Sequence, residues 1–160
     1  MVSKSAKSSF VYATYIRTTP ERLWSALTDA EQMKEYWLGM HLKTNWKAGA
    51  EWQMLFPDGR VADTGEILEL DPPRRIVLRW RNEFRPELKA EGFALCTMDL
   101  EAVGAAVKLT ITHTIERADS KFIEAVSVGW PKVLSNLKSM LETGQVVLTG
   151  LHEAHDEVGV

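Results

Sequence analysis

The sequence predicts an α+β domain: an antiparallel sheet with one face covered by a long C-terminal helix, and two short helices between its first two strands. Three observations carry the prediction. From Glu51 to Ile115, apolar residues alternate with charged or threonine residues, the period of strands buried on one face. From Ser120 to Thr143 the apolar spacing changes to i, i+3, i+4, the period of an amphipathic helix. Ahead of both, Thr19-Pro20-Glu21-Arg22-Leu23-Trp24 has the composition of a helix start.

Phe10 to Arg17 is rich in aromatic and β-branched residues and reads as the first strand. Thr18 or Thr19 then caps a helix with Pro20 in its first turn and Glu21 near its positive end, and Leu23, Trp24 and Leu27 share one face. Asp29 begins a second helix running to about Tyr36, with Met33, Tyr36 and Trp37 on its apolar side. Glu51 to Phe56 is a strand with Trp52, Met54 and Phe56 on one face. Pro57-Asp58-Gly59-Arg60 turns the chain into a returning strand, Val61 to Leu70, closed by Asp71-Pro72-Pro73.

Arg75 to Arg81 places Ile76, Leu78 and Trp80 together, and the charged stretch 82–91, containing Pro86, reads as a loop. Phe93 to Ala102 sets Ala94, Cys96, Met98 and Leu100 against Thr97, Asp99 and Glu101. After Val103-Gly104-Ala105, the residues Val107, Leu109, Ile111, His113 and Ile115 face one way. The covering helix carries Phe122, Ile123, Val126, Trp130, Val133, Leu134 and Leu137, has Gly144 at its C-cap, and contains Pro131, which removes one backbone hydrogen bond and predicts a kink.

Composition bounds the function. A chain of 160 residues fits one domain, expected over 9–144 with a leader at 1–8 and a tail at 145–160. A net charge of −3 argues against nucleic acid as the main partner. The Ser- and Lys-containing leader has no apolar core of a signal peptide, and no run approaches the ~20 apolar residues that span a bilayer. A single cysteine, Cys96, suits a reducing cytoplasm. Six tryptophans are unusual, since each brings a large apolar surface and one N–H that requires a partner.

The order Thr-Pro-Glu-Arg-Leu-Trp-Ser-Ala-Leu (19–27), Trp37, Pro-Asp-Gly-Arg (57–60), Gly-Glu-Ile-Leu-Glu-Leu-Asp-Pro-Pro-Arg-Arg-Ile-Val-Leu-Arg-Trp (65–80), Thr112-His113 and Gly-Trp-Pro-Lys-Val-Leu (129–134) resembles the family of activator homologues of a heat-shock chaperone ATPase. That family sits in the START-like, or SRPBCC, superfamily with the birch-pollen-allergen fold. The resemblance spans about residues 9–144 and implies a helix-grip: a strongly curved antiparallel sheet around a long C-terminal helix. Its superfamily includes lipid and hormone carriers, polyketide cyclases and chaperone-binding domains.

The resulting candidate site is an internal cavity for a small hydrophobic molecule, lined by Trp37, Trp52, Met54, Phe56, Leu78, Trp80, Met98, Ile111, His113, Val126 and Trp130, with no metal or cofactor. The same residues also describe an ordinary core. His113 falls on the apolar parity of its strand, where it either orients a ligand or bonds to a backbone carbonyl or a tryptophan N–H. As a catalytic base it needs a carboxylate partner. Asp99 and Glu101 have the wrong parity, and the facing of Glu66 is unsettled because its strand is apolar on both registers.

Three function classes remain open: a ligand-binding module, an enzyme acting on an aromatic or polyketide-like substrate, and a protein-interaction domain like the chaperone activators. A protein partner or a homodimer is compatible with the last. The basic cluster Arg74, Arg75, Arg79 and Arg81 reads as a solvated sheet back or a contact for an acidic group. His152-Glu153-Ala154-His155 lacks the second histidine spacing of a metalloprotease helix, and Ala125 to Gly129 lacks the strand-to-helix turn of a nucleophile elbow.

Overall fold

A computed structural model of the chain describes residues 6–149, and the His152 to His155 stretch lies outside them. Among the described residues eleven elements follow one another: β1 (Ser8–Ile16), α1 (Pro20–Thr28), α2 (Ala30–Tyr36), β2 (His41–Lys43), β3 (Glu51–Leu55), β4 (Val61–Asp71), β5 (Arg75–Asn82), α3 (Pro86–Lys89), β6 (Ala94–Val103), β7 (Ala106–Ile115) and α4 (Lys121–Thr143). The strands form one antiparallel seven-stranded sheet in the order β1-β7-β6-β5-β4-β3-β2. Successive strands from β2 to β7 are neighbours, and the chain returns from β1 to the rest of the sheet through α1 and α2.

Helix starts follow the local chemistry. The Thr19 hydroxyl accepts the Arg22 N–H at 3.1 Å ahead of Pro20. Ser120 caps α4 through the Ile123 N–H at 3.0 Å, and Gly144 ends it in the left-handed conformation at φ 85°. Asp29 occupies the N-cap position of α2 without capping it; its carboxylate takes the Gln32 side-chain N–H at 3.1 Å. α4 continues as one helix through Pro131.

Three features depart from the expectations. The 82–91 stretch is not all loop, because Pro86 at a helix N-terminus with Glu87 in the first turn nucleates the short α3. A three-residue edge strand, β2, extends the sheet beyond β3 and had no signal of its own. The chain beyond Gly144 is also anchored. Buried Asn136 accepts the N–H groups of Val147 and Leu148 at 2.9 and 2.7 Å and donates to the Leu148 carbonyl at 3.1 Å.

β4 carries a register irregularity against each of its neighbours. Its register shifts against β3 between Met54 and Leu55, where Ala62 is left over, and against β5 between Ile67 and Glu69, where Leu68 is left over. Each extra residue bends a strand and breaks its alternation, which is why β4 looked apolar on both registers. Glu66 faces outward, paired with Arg79 at 3.6 Å. At Gly65 the strands approach so closely that a Cβ would lie 1.7 Å from the Arg79 carbonyl oxygen, and only glycine fits.

Strand parity was read correctly across the rest of the sheet. Met54, Ile76, Leu78, Met98, Leu100, Leu109 and Ile111 are buried together under α4, whose Phe122, Val126, Trp130, Val133 and Leu137 close the core. Asp99 and Glu101 point outward as expected, Asp99 holding Arg75 at 2.8 Å.

Candidate functional site

The interior is built around Trp80. Inward parity on β5 brings it beneath α4, with Trp37 stacked beside it at 6.3 Å between ring centroids and Trp52 edge-on at 4.8 Å. Trp130 of α4 lies edge-on to Trp37 at 5.1 Å and to Trp80 at 6.0 Å. His113 meets Trp80 and Phe122, each at 5.3 Å. Edge-to-face pairs of this kind add about 0.5–1.5 kcal/mol each beyond area burial, so the cluster is a strong packing unit as well as a candidate site.

Of the predicted site residues, Trp37, Trp52, Trp80, His113 and Trp130 are thus brought into one aromatic box. Met54, Leu78, Met98, Ile111 and Val126 are buried in the surrounding core. Phe56 stands apart, edge-on to Phe84 at 4.9 Å and beneath the Arg60 guanidinium.

Polar groups inside the box are few, and their bonding is specific. The Trp130 indole N–H donates to His113 Nδ1 at 3.1 Å. In a neutral imidazole this leaves the ring proton on Nε2. Burial pushes the His113 pKa down to about 3, so the ring is neutral across the physiological range. With one nitrogen accepting and the other protonated, His113 offers no free lone pair for proton abstraction.

The residue that sequence reasoning missed is Asp63. It is fully buried on β4, opposite Met54 on one side and Asn82 on the other, and its carboxyl accepts the Trp80 indole N–H. Burial pushes its pKa well above the usual carboxylate range against the lowering effect of the Trp80 bond, which favours the neutral acid. A signal existed. Asp63 and Gly65 share one parity, and Gly65 is the register partner of both Trp52 and Trp80. The leftover Ala62 beside it hid that alternation.

Three polar atoms in this region have no hydrogen-bond partner within the protein: Trp37 Nε1, His113 Nε2 and Asp63 Oδ1. All three belong to side chains that touch Trp80. Each such atom destabilises the folded state by about 1–3 kcal/mol. By contrast, Trp52 Nε1 is satisfied by the Arg79 carbonyl at 3.1 Å, and the Tyr36 hydroxyl by the Ala26 carbonyl at 2.8 Å.

On the opposite face of the sheet, a groove of about 900 Å³ runs beside Lys43, Glu66, Arg79, Arg81 and Phe93. The Arg81 guanidinium lies 4.5 Å from the centroid of half-exposed Phe93. Among the described residues no cluster of histidine, cysteine or acidic side chains could hold a metal ion, and no helix is long and apolar enough to cross a membrane. Cys96 is buried, and burial pushes its thiol pKa up, away from nucleophilic chemistry.

A bent antiparallel sheet gripping one long C-terminal helix around an aromatic interior defines a START-like helix-grip domain. The chain belongs to the activator of Hsp90 ATPase homolog 1-like protein family, whose profile matches residues 17–142. Solved structures share the fold at low identity. An HSP90 activator from Plasmodium falciparum is 24% identical with a TM-score of 0.69, the match covering 83% of this chain and 95% of that one. The Aha1 dimer from Colwellia psychrerythraea is 18% identical with a TM-score of 0.70, covering 86% and 98%. DynU16, from the dynemicin biosynthetic locus, is 20% identical with a TM-score of 0.69, covering 86% of this chain and 48% of its own. No curated protein sequence matches this chain.

Proposed function

We propose that this protein is a binding module for a small hydrophobic molecule, held between sheet and α4 in the box formed by Trp37, Trp52, Trp80, His113 and Trp130. One observation carries this reading: of the five buried side-chain polar atoms without a partner among the described residues, three, Trp37 Nε1, His113 Nε2 and Asp63 Oδ1, belong to side chains gathered around Trp80, the other two being Thr18 Oγ1 and His41 Nδ1. A core selected only for stability would pair such groups or replace them. Apolar walls with a few placed polar groups are the usual constitution of a ligand site. The enzyme reading is less well supported, because His113 has no free lone pair and burial disfavours the ionised form of Asp63.

Native mass spectrometry of freshly purified protein, alongside a thermal-shift screen of hydrophobic compounds, tests the reading. A co-purifying small molecule, or a Tm that climbs with ligand concentration, is the expected result. A clean apo mass with no shift across the screen would count against it.

A second reading has its own support. The outer groove places Phe93 beside Arg79 and Arg81, an aromatic and guanidinium combination enriched at protein interfaces. Similarity to an HSP90 activator is compatible with a protein partner at this face. Arg81→Glu with Phe93→Ser would then abolish partner capture while leaving small-molecule binding intact.

A further inference from the structure

The two edges of the sheet are finished differently. β2, at one edge, has three residues and ends on Lys43, and α2 packs beside it. Short length, a charged side chain and a covering helix are the usual devices that keep an edge from pairing with another chain. β1, at the other edge, lacks the first two. Its nine residues, Ser8–Ile16, include no charged side chain and no proline, and they pair with β7 at every position without a register shift. Two apolar side chains on its outer face are exposed, Val11 at 60% and Tyr15 at 52%.

α4 reaches this edge only at its ends. Lys138 Nζ donates to the Tyr15 carbonyl at 2.5 Å, and the Arg17 N–H donates to the Glu142 carboxylate at 2.8 Å. Both backbone groups are turned away from β7. In an antiparallel strand the N–H and C=O of one residue point to the same side, and the side alternates along the chain. Ser9, Val11 and Ala13 therefore turn theirs to the open side as well. Near the start of the strand the Ser8 hydroxyl takes the Ser120 N–H at 3.1 Å. Between these anchors, among the described residues, nothing bonds the open-side backbone of Ser9, Val11 and Ala13. Phe10 and Tyr12, on the inner face of the same stretch, stack at 6.1 Å between ring centroids and are only partly buried.

We propose that a second copy of this chain pairs with β1 at this stretch, antiparallel, with the two-fold axis passing through Val11. In that register Val11 lies opposite the copy's Val11, and Ser9 opposite its Ala13. Every open N–H and C=O of the three residues gains a partner, and the ladder ends where Lys138 holds Tyr15. A register two residues further on would draw Tyr15, whose carbonyl is already taken, into the ladder. On the outer face valine packs on valine. On the inner face Phe10 meets the copy's Tyr12 at a closely spaced, non-bonded position, so each copy covers the partly buried ring of the other. Self-pairing brings like residues together, and a strand without charge does so free of like-charge repulsion.

Sedimentation velocity over a concentration series, together with cysteine cross-linking, tests the proposal. The wild-type protein is expected to form a dimer that dissociates on dilution. Val11→Lys sets two like charges opposite each other and is expected to raise the dissociation constant at least about fivefold, while Val11→Ile leaves it within about twofold. Val11→Cys is expected to oxidise to a covalent dimer, because bonded pairs stand about 5.5 Å apart between Cα atoms, within disulfide reach. Ala13→Cys is not, since this register holds the two copies of residue 13 more than about 13 Å apart. The native Cys96 is buried and stays out of the exchange. Should Val11→Lys not fold, the two cysteine variants decide. A wild-type protein that is monomeric at every concentration, a Val11→Lys dimer as tight as the wild type, or cross-linking of Ala13→Cys as efficient as that of Val11→Cys would each overturn the proposal.

Discussion

Trp130 and His113 are joined by an indole-to-imidazole hydrogen bond of 3.1 Å, which ties α4 to β7 across the core. Because Nδ1 accepts that bond, the neutral ring is the native form, and burial lowers its pKa from 6.5 to about 3. A group with a depressed basic pKa stabilises the fold fully above its unfolded pKa. That contribution is lost as pH falls from about 6.5 toward 3, at about 1.4 kcal/mol per pH unit.

His113→Gln removes this titration while keeping a side chain able to accept the Trp130 N–H. The variant is expected to be less stable than wild type at pH 7.5, with the gap narrowing by about 1.4 kcal/mol per unit below pH 6. Urea unfolding midpoints at four pH values measure it. A gap that stays constant with pH would show that His113 is not buried in its neutral form.

The two flanking tryptophans should differ in what their loss reveals. Trp52→Ala and Trp130→Ala each remove a fully buried ring, and both are expected to destabilise by about 3–5 kcal/mol if the box is rigid core. A smaller loss in either, accompanied by altered binding of a hydrophobic probe, would identify a wall that already yields. Denaturant midpoints and probe titrations on the same preparations separate the two outcomes.

Most of the box was legible because it lies where alternation holds. Trp80 and His113 sit on strands with unbroken parity, and Trp130 falls on an unbroken helical stripe, so their inward facing followed from spacing alone. β4 was different. Its two leftover residues, Ala62 and Leu68, reset the alternation, so neither the inward facing of Asp63 nor the outward facing of Glu66 could be read from the pattern. The stacking of Trp37 on Trp80 depends on the path of α2 across the sheet end, which no local period encodes. Asn136 was hidden for a related reason: its bonds run to a segment with no regular structure of its own.

Asn136 should be worth more than its position in a helix suggests. Removing its carbonyl in Asn136→Ala strands the N–H groups of Val147 and Leu148 and detaches the segment that follows Gly144. An expected loss of about 1–3 kcal/mol, together with faster proteolysis after residue 144, distinguishes this from a simple change of helix propensity, which favours alanine. Limited proteolysis with mass mapping reads the cleavage site directly.

Gly65 supplies a purely steric prediction. A methyl group there would meet the Arg79 carbonyl oxygen at 1.7 Å and the Trp52 ring at 2.7 Å, both firmly held. Gly65→Ala is expected to destabilise by about 3 kcal/mol or more, since the backbone of β5 would have to move. A thermal midpoint close to that of the wild type would mean that β4 and β5 part easily at this bend.

Asp63 reverses the pH logic of His113. Its folded pKa is raised by burial, so the stability linked to its protonated form is complete below the unfolded value of 3.8 and declines as pH rises toward the folded one. Asp63→Asn keeps an acceptor for the Trp80 N–H and cannot ionise, so it should gain stability relative to wild type as pH increases from 5 to 9. Asp63→Leu removes the acceptor as well, leaving the Trp80 N–H unpaired at a loss of about 1–3 kcal/mol that persists at low pH. Parallel unfolding curves for both variants separate the two contributions. If Asp63→Asn tracked the wild type at every pH, the carboxyl would have to be solvated, and its place among the unpartnered groups around Trp80 would be lost with it.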